Sequence, residues 1–97
     1  MAVKKIMCCC GQGLGSSFMV EMNVQKALKT LGKTEIEVSH GSVSEVYNGV
    51  ADLFVVGNDI VDSVKGYGDV IALQNIVSID EVTQKLKTYF EEHEGHA

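Results

Sequence analysis

No arginine occurs in this chain. Its cations are eight lysines, set against thirteen aspartates and glutamates, for a formal net charge of −5. The lysines form no run, so the basic footprint of a nucleic-acid binder is missing. Nor does any apolar stretch approach the roughly 20 residues that cross a bilayer. The start, Met1-Ala2-Val3-Lys4-Lys5-Ile6-Met7, carries two lysines but too short an apolar run for a secretory signal. Cysteine is absent everywhere except Cys8, Cys9 and Cys10. Contiguous cysteines with no distant partner exclude a disulfide framework and fit a reducing compartment. No second Cys or His pair stands at ligand spacing, so no metal site is expected. These absences imply a cytoplasmic protein without direct membrane insertion and without a nucleic-acid partner.

What is present fits one domain over residues 1–97: the hydrophobic share, 45%, is enough for a modest core. Apolar runs alternate with helical patterns, which predicts an α/β fold with a parallel sheet. Strands are expected at 4–9, 36–39, 52–57 and 69–73. A helix over 17–31 would bury Val20, Val24, Ala27, Leu28 and Leu31 on one face, with Gly32 as its stop. A short helix is expected within 42–48, and a loop with one helical turn over 58–64. Ser78-Ile79-Asp80-Glu81 has the capping-box form, opening a helix that buries Val82, Leu86, Tyr89 and Phe90. The tail, 91–97, reads as frayed. Right-handed crossovers then favour a three-layer α/β/α architecture with strand order 2-1-3-4. Ligands of such sheets bind beyond the carboxyl ends of the strands, at the switch point.

At that end of the first strand stands Cys10-Gly11-Gln12-Gly13-Leu14-Gly15-Ser16-Ser17. A glycine loop between a strand and a helix aims several backbone N–H groups at one point, and the helix N-terminus adds partial positive charge. The same field favours thiolate over thiol, and thiolate is the nucleophile. Cys10 is therefore the candidate nucleophile, and Gly11, Gln12, Gly13, Leu14, Gly15, Ser16 and Ser17 form the candidate phosphate cradle. Ser16 and Ser17 also suit helix N-caps. Cys8 and Cys9 read as packed, inert strand residues.

Other phosphate loops fit less well. A Walker A loop requires a lysine after its last glycine, and the dinucleotide fingerprint places its last glycine one residue later. The low-molecular-weight-phosphatase type of loop, in a Rossmann-like fold, is nearer: a thiolate ends the first strand and five loop residues lead to an arginine. Here that sixth position is Ser16. Without the bidentate clamp, hydrolysis loses a main electrostatic stabiliser, so a cysteinyl phosphate should persist and be passed on. The missing arginine points to a carrier and away from a hydrolase.

His40, expected just after the second strand, reads as a surface residue or a general base. Asp59 and Asp62 follow the third strand and read as turn caps or acids. His93 and His96 read as solvated. Phe18, Met19 and Met22 cannot all lie on the buried helix face, which leaves docking or partial core packing.

The strand Lys4-Lys5-Ile6-Met7-Cys8-Cys9 running into Cys10-Gly11-Gln12-Gly13-Leu14-Gly15-Ser16-Ser17 resembles the IIB component of the bacterial phosphoenolpyruvate-dependent sugar phosphotransferase system. The Cys-Gly-x-Gly-x-Gly-Ser-Ser form followed by Phe18-Met19 is most similar to the ascorbate type. Galactitol-type and lactose/cellobiose-type relatives have related loops. The resemblance implies that Cys10 takes a phosphoryl group from a phosphohistidine on a IIA protein. It further implies transfer to a sugar bound by the membrane IIC protein, with no cofactor because the donor is already activated. A regulatory IIB-like module read by a transcription regulator and, less favoured, a cysteine phosphatase are the alternative readings.

Overall fold

Ile6, Met7, Cys8 and Cys9 are apolar without interruption, and such a run is stable only as a strand covered on both faces. The computed structural model describes residues 3–9 and 14–93, and of residues 14–17 and 93 only the backbone. In it β1 (Lys5–Cys9) is a central strand with every residue after Lys5 buried. The other central strand, β3 (Leu53–Gly57), is buried throughout. β2 (Glu37–Gly41) and β4 (Asp69–Leu73) form the edges and are largely exposed or half-buried. The sheet is parallel in every pairing, in the expected order β2-β1-β3-β4.

One face carries α1 (Leu14–Leu31) and α3 (Ile79–His93). Val20, Val24, Ala27 and Leu28 of α1 and Val82, Leu86 and Phe90 of α3 close over Ile6, Cys8, Leu53 and Val55. Each Val, Leu, Ile or Phe side chain among them contributes about 1.5–3 kcal/mol by leaving water. The other face is covered by the segment around Val43, Val46 and Val50 and by the single turn α2 (Val61–Val64), which pack on Met7, Cys9, Phe54 and Val56. The pleat sends neighbouring residues to opposite faces, so Cys8 belongs to the first cluster and Cys9 to the second.

Local chemistry explains the boundaries. Gly32 adopts φ +77°, and the Lys33 amide donates to the Leu28 carbonyl at 2.8 Å while the Gly32 amide donates to Lys29 at 3.3 Å. That is the six-to-one and five-to-two pairing of a Schellman stop. α1 begins at Leu14, three residues before the expected start, so Ser16 and Ser17 lie inside the first turn and do not cap it. β2 runs two residues beyond 39, because its ladder with β1 continues through Cys8–His40 and Cys9–Gly41. His40 thus lies within the strand and does not follow it.

The helix expected within 42–48 is only a 3-10 turn, Val43–Glu45, started by the Glu45 carboxylate accepting the Ser42 amide at 2.7 Å. Residues 58–64 form a 3-10 turn, Asn58–Ile60, and then α2. The last helix reaches His93, so residues 91–93 of the expected frayed tail are helical, as a continuation of a helix already anchored by Phe90.

Candidate functional site

All four strands point their carboxyl ends the same way, and the order reverses between β1 and β3. The switch point of a doubly wound sheet therefore lies where β1 ends, at Cys9. Cys10, Gly11, Gln12 and Gly13 lie outside the described residues. The chain resumes as the N-terminus of α1, an 18-residue helix with no acidic residue in its first turn. The backbone of Leu14, Gly15 and Ser16 there carries amide N–H groups with no intrahelical acceptor. Four residues separate a strand end from this electropositive helix end.

The two cysteines in the strand are poorly suited to chemistry. Both are 0% exposed. Burial pushes the Cys8 thiol far above its ordinary value, and the negative field of Glu21 and the neighbouring Cys9 add in the same direction. A thiol so held is neither ionised nor reachable.

Three groups surround the site. On the α1 side, the His40 imidazole bonds through Nδ1 to the Glu21 carboxylate and meets the Phe18 ring edge-on, with centroids 5.5 Å apart. The surface residue of the sequence reading is thus tied to α1. Nothing in the sequence pairs Glu21 with His40, which stand 19 residues apart.

Beyond β3, the Asp59 carboxylate folds back over Gly57, and a Cβ at Gly57 would lie 2.7 Å from Asp59 Oδ1. Asp59 is thus at the strand ends, whereas Asp62 pairs with Lys65 at 3.2 Å on the open surface, with the carboxyl side chain 91% exposed. Asp62 takes no part in the site.

Beyond β4, the loop to α3 is fixed by Glu81. The capping box is half realised: Ser78 Oγ accepts the Glu81 amide at 3.1 Å. The Glu81 carboxylate instead accepts the backbone amides of Gln74 and Asn75 at 2.8 and 2.9 Å. Burial alone would raise Glu81, but bonds from Lys85 and from these two amides, with the Lys85 charge, outweigh it and hold the carboxyl below its ordinary value. Asn23 of α1 reaches the same loop, donating to the Ile76 carbonyl at 3.4 Å.

A groove of about 440 Å³ runs between residues 57–59 and 73–76 at these strand ends. A larger cavity of about 600 Å³ lies along the outer edge of β4 against α3, away from the switch point and lined by no cysteine.

Phe18, Met19 and Met22 are 42–51% exposed on α1, and Val77 and Ile79 stand open nearby in sequence to the β4–α3 loop. Docking, of the two readings of the α1 residues, is the one their exposure favours. Among the described residues no three His, Cys, Asp or Glu side chains gather as a metal site, and no helix is long and apolar enough to cross a membrane.

The family model described as "PTS system, Lactose/Cellobiose specific IIB subunit" matches residues 5–88. That span runs from the first residue of β1 to within α3 and includes every strand. No curated protein matches the chain.

Proposed function

The chain belongs to the lactose/cellobiose-specific IIB subunit family of the sugar phosphotransferase system (PTS), and from that premise we propose that Cys10 is the residue that carries its phosphoryl group. The family role is phosphoryl transfer in a sugar PTS, in company with IIA and IIC components. In the proposed cycle, the Cys10 thiolate attacks the phosphorus of a phosphohistidine on IIA, in line with the departing imidazole. Backbone amides of residues 11–17 receive the charge that develops on the equatorial oxygens. The thiolate later leaves as a hydroxyl of the sugar held by the membrane IIC protein attacks. The protein acts on the cytoplasmic side, and Phe18, Met19 and Met22 form part of the rim on which its partners dock in turn.

One observation carries this reading. Of the three cysteines, Cys8 and Cys9 are fully enclosed by the two cores. A donor histidine on another protein needs a sulfur it can touch, which supports Cys10. The placement of β1 and α1 on either side of residues 10–13 supports the same choice.

The sugar is proposed as ascorbate-like or another carbohydrate. The loop form resembles the ascorbate type, while the family description names lactose and cellobiose. Transfer from phosphorylated protein to each candidate sugar, in membranes containing the cognate IIC, decides among them.

The test of the carrier reading is incubation with phosphorylated IIA followed by peptide mass spectrometry. A single thiophosphate on Cys10 is expected, lost in Cys10→Ser and kept in Cys8→Ser and Cys9→Ser. Equal loss in all three variants contradicts the assignment. Steady release of inorganic phosphate from an aryl phosphate would indicate a phosphatase instead.

A further inference from the structure

The groove between the loops that leave β3 and β4 has a volume of about 440 Å³. Small-molecule sites span roughly 300–1,000 Å³. Gly57 lines it at the end of β3, where a Cβ would meet Asp59 Oδ1 at 2.7 Å and Ile76 Cγ2 at 3.7 Å. The bare glycine thus lets a carboxylate from one loop and an apolar side chain from the other draw close across it.

The 74–76 side of the groove is fixed from several directions. The Glu81 carboxylate accepts the Gln74 and Asn75 amides at 2.8 and 2.9 Å. Asn23 of α1 donates to the Ile76 carbonyl at 3.4 Å. Asn75 Oδ1 accepts the Val77 amide at 3.1 Å, which leaves Asn75 Nδ2 as a donor. A loop already held in place loses little freedom when a ligand arrives.

The groups that line the groove are not engaged internally. Asn58, Asp59 and Gln74 are exposed, and among the described residues their side chains make no hydrogen bond or ion pair. A side-chain amide sets an acceptor beside two donors, which matches neighbouring hydroxyls that each donate and accept. Leu73 and Ile76 add apolar surface for C–H groups. A sugar ring presents both kinds of surface.

The charge of the groove is one-sided. Asp59 is the only acidic or basic side chain lining it. Lys85 is paired with Glu81 at 2.7 Å. The start of α3 adds no anion site, because Asp80 and Glu81 stand in its first turn and Ser78 Oγ takes the Glu81 amide. An anionic ligand would meet an uncompensated carboxylate.

We propose that this groove is where the chain grips the sugar, and that it takes a neutral, hydroxyl-rich sugar of the lactose or cellobiose kind in preference to an anion such as ascorbate. The inference rests on the sugar-PTS reading above and narrows its substrate class. The side-chain amides of Asn58, Gln74 and Asn75 bond the hydroxyls of the sugar that IIC presents, and Asp59 accepts from one of them. The same carboxylate disfavours the sugar phosphate once it is formed, which favours its departure.

The test is a titration of the uniformly ¹⁵N-labelled full chain, followed by two-dimensional NMR, with cellobiose, lactose and ascorbate as separate probes at neutral pH. Cellobiose or lactose should shift the backbone amides of residues 57–59 and 73–76 and the side-chain amides of Asn58 and Gln74, in a saturable way. Ascorbate, a monoanion at that pH, should bind at least about 10-fold more weakly. Asn58→Ala and Gln74→Ala should each weaken the neutral sugar about fivefold, with the dispersion of the spectrum showing that the variants fold. Asp59→Asn should bring ascorbate to within about threefold of the neutral sugars. Silence of these resonances with both neutral sugars, or ascorbate binding as tightly as they do, overturns the proposal. Binding is read without phosphoryl transfer, so the two readings fail separately. A silent groove on a chain whose Cys10 is phosphorylated by IIA overturns the groove alone, and sugar binding to a chain that takes no phosphate overturns the carrier reading alone.

Discussion

The two faces of the sheet are built differently. The α1–α3 face is closed by two long helices whose buried side chains recur at helical spacing. The opposite face is closed by a 3-10 turn, an irregular segment and a single helical turn. A long helix is held along its whole length and cannot settle into a vacancy beneath it. Short turns can shift, so the same loss of volume leaves a smaller cavity. The helical face therefore sets stability. It also bears the Glu21–His40 pair and the open face of α1.

The largest expected effect follows from that contrast. Leu86→Ala on the helical face should cost about 3–4 kcal/mol, whereas Ile60→Ala on the other face should fall near 2 kcal/mol. Urea denaturation of both variants checks this, and equal or reversed costs would break the comparison.

Next come the two buried thiols, one on each face. Cys8→Ser and Cys9→Ser each bury a hydroxyl in place of sulfur, at about 1–3 kcal/mol. Phosphoryl acceptance by the folded fraction should persist in both.

A third pair contrasts two carboxylates that each hold backbone amides. Glu81 secures the β4–α3 loop through two amides, while Glu45 holds one at an exposed 3-10 turn. Glu81→Gln should cost about 1–2 kcal/mol and Glu45→Gln about 0.5 kcal/mol. The pH dependence has a definite sign. Glu81 is held below its ordinary value of 4.5, so its contribution is full above that value. As pH falls through the lower folded value, the unfolded chain binds a proton the folded chain lacks, and the contribution is lost. Between neutral pH and pH ~3 the stability of Glu81→Gln should therefore decline less than that of wild type, as thermal melts would show. Last, Asp62→Asn should change stability by under about 0.5 kcal/mol, because its pair with Lys65 is open to water.

The same contrast between faces governs what could be read from the sequence. Val20, Val24, Ala27 and Leu28 announce α1, and the unbroken apolar runs ending at Cys9 and Gly57 announce the central strands, because each element's burial is written in its own period. Gly32 announced the helix stop through its backbone freedom. The segment 42–48 has no such period, and its cover of Met7 and Phe54 emerges only once the strands are laid side by side. Local alternation ends the second strand before His40, whereas β2 includes it because the ladder to β1 continues, a long-range pairing that local alternation does not encode. Ser78-x-x-Glu81 announced a helix start correctly, yet Glu81 turned to the amides of Gln74 and Asn75, which folding brings within reach. The candidate nucleophile and loop stand in the sequence as a motif; the Glu21–His40 pair, joined across 19 residues, does not.

The carrier account is tested most directly by the mass of the intact protein after incubation with phosphorylated IIA, with the modified residue located by fragmentation. One added phosphoryl group on Cys10, absent from Cys10→Ser, is the predicted result. A phosphate on Cys8, Cys9 or a histidine, or none on a folded wild-type chain, would contradict it.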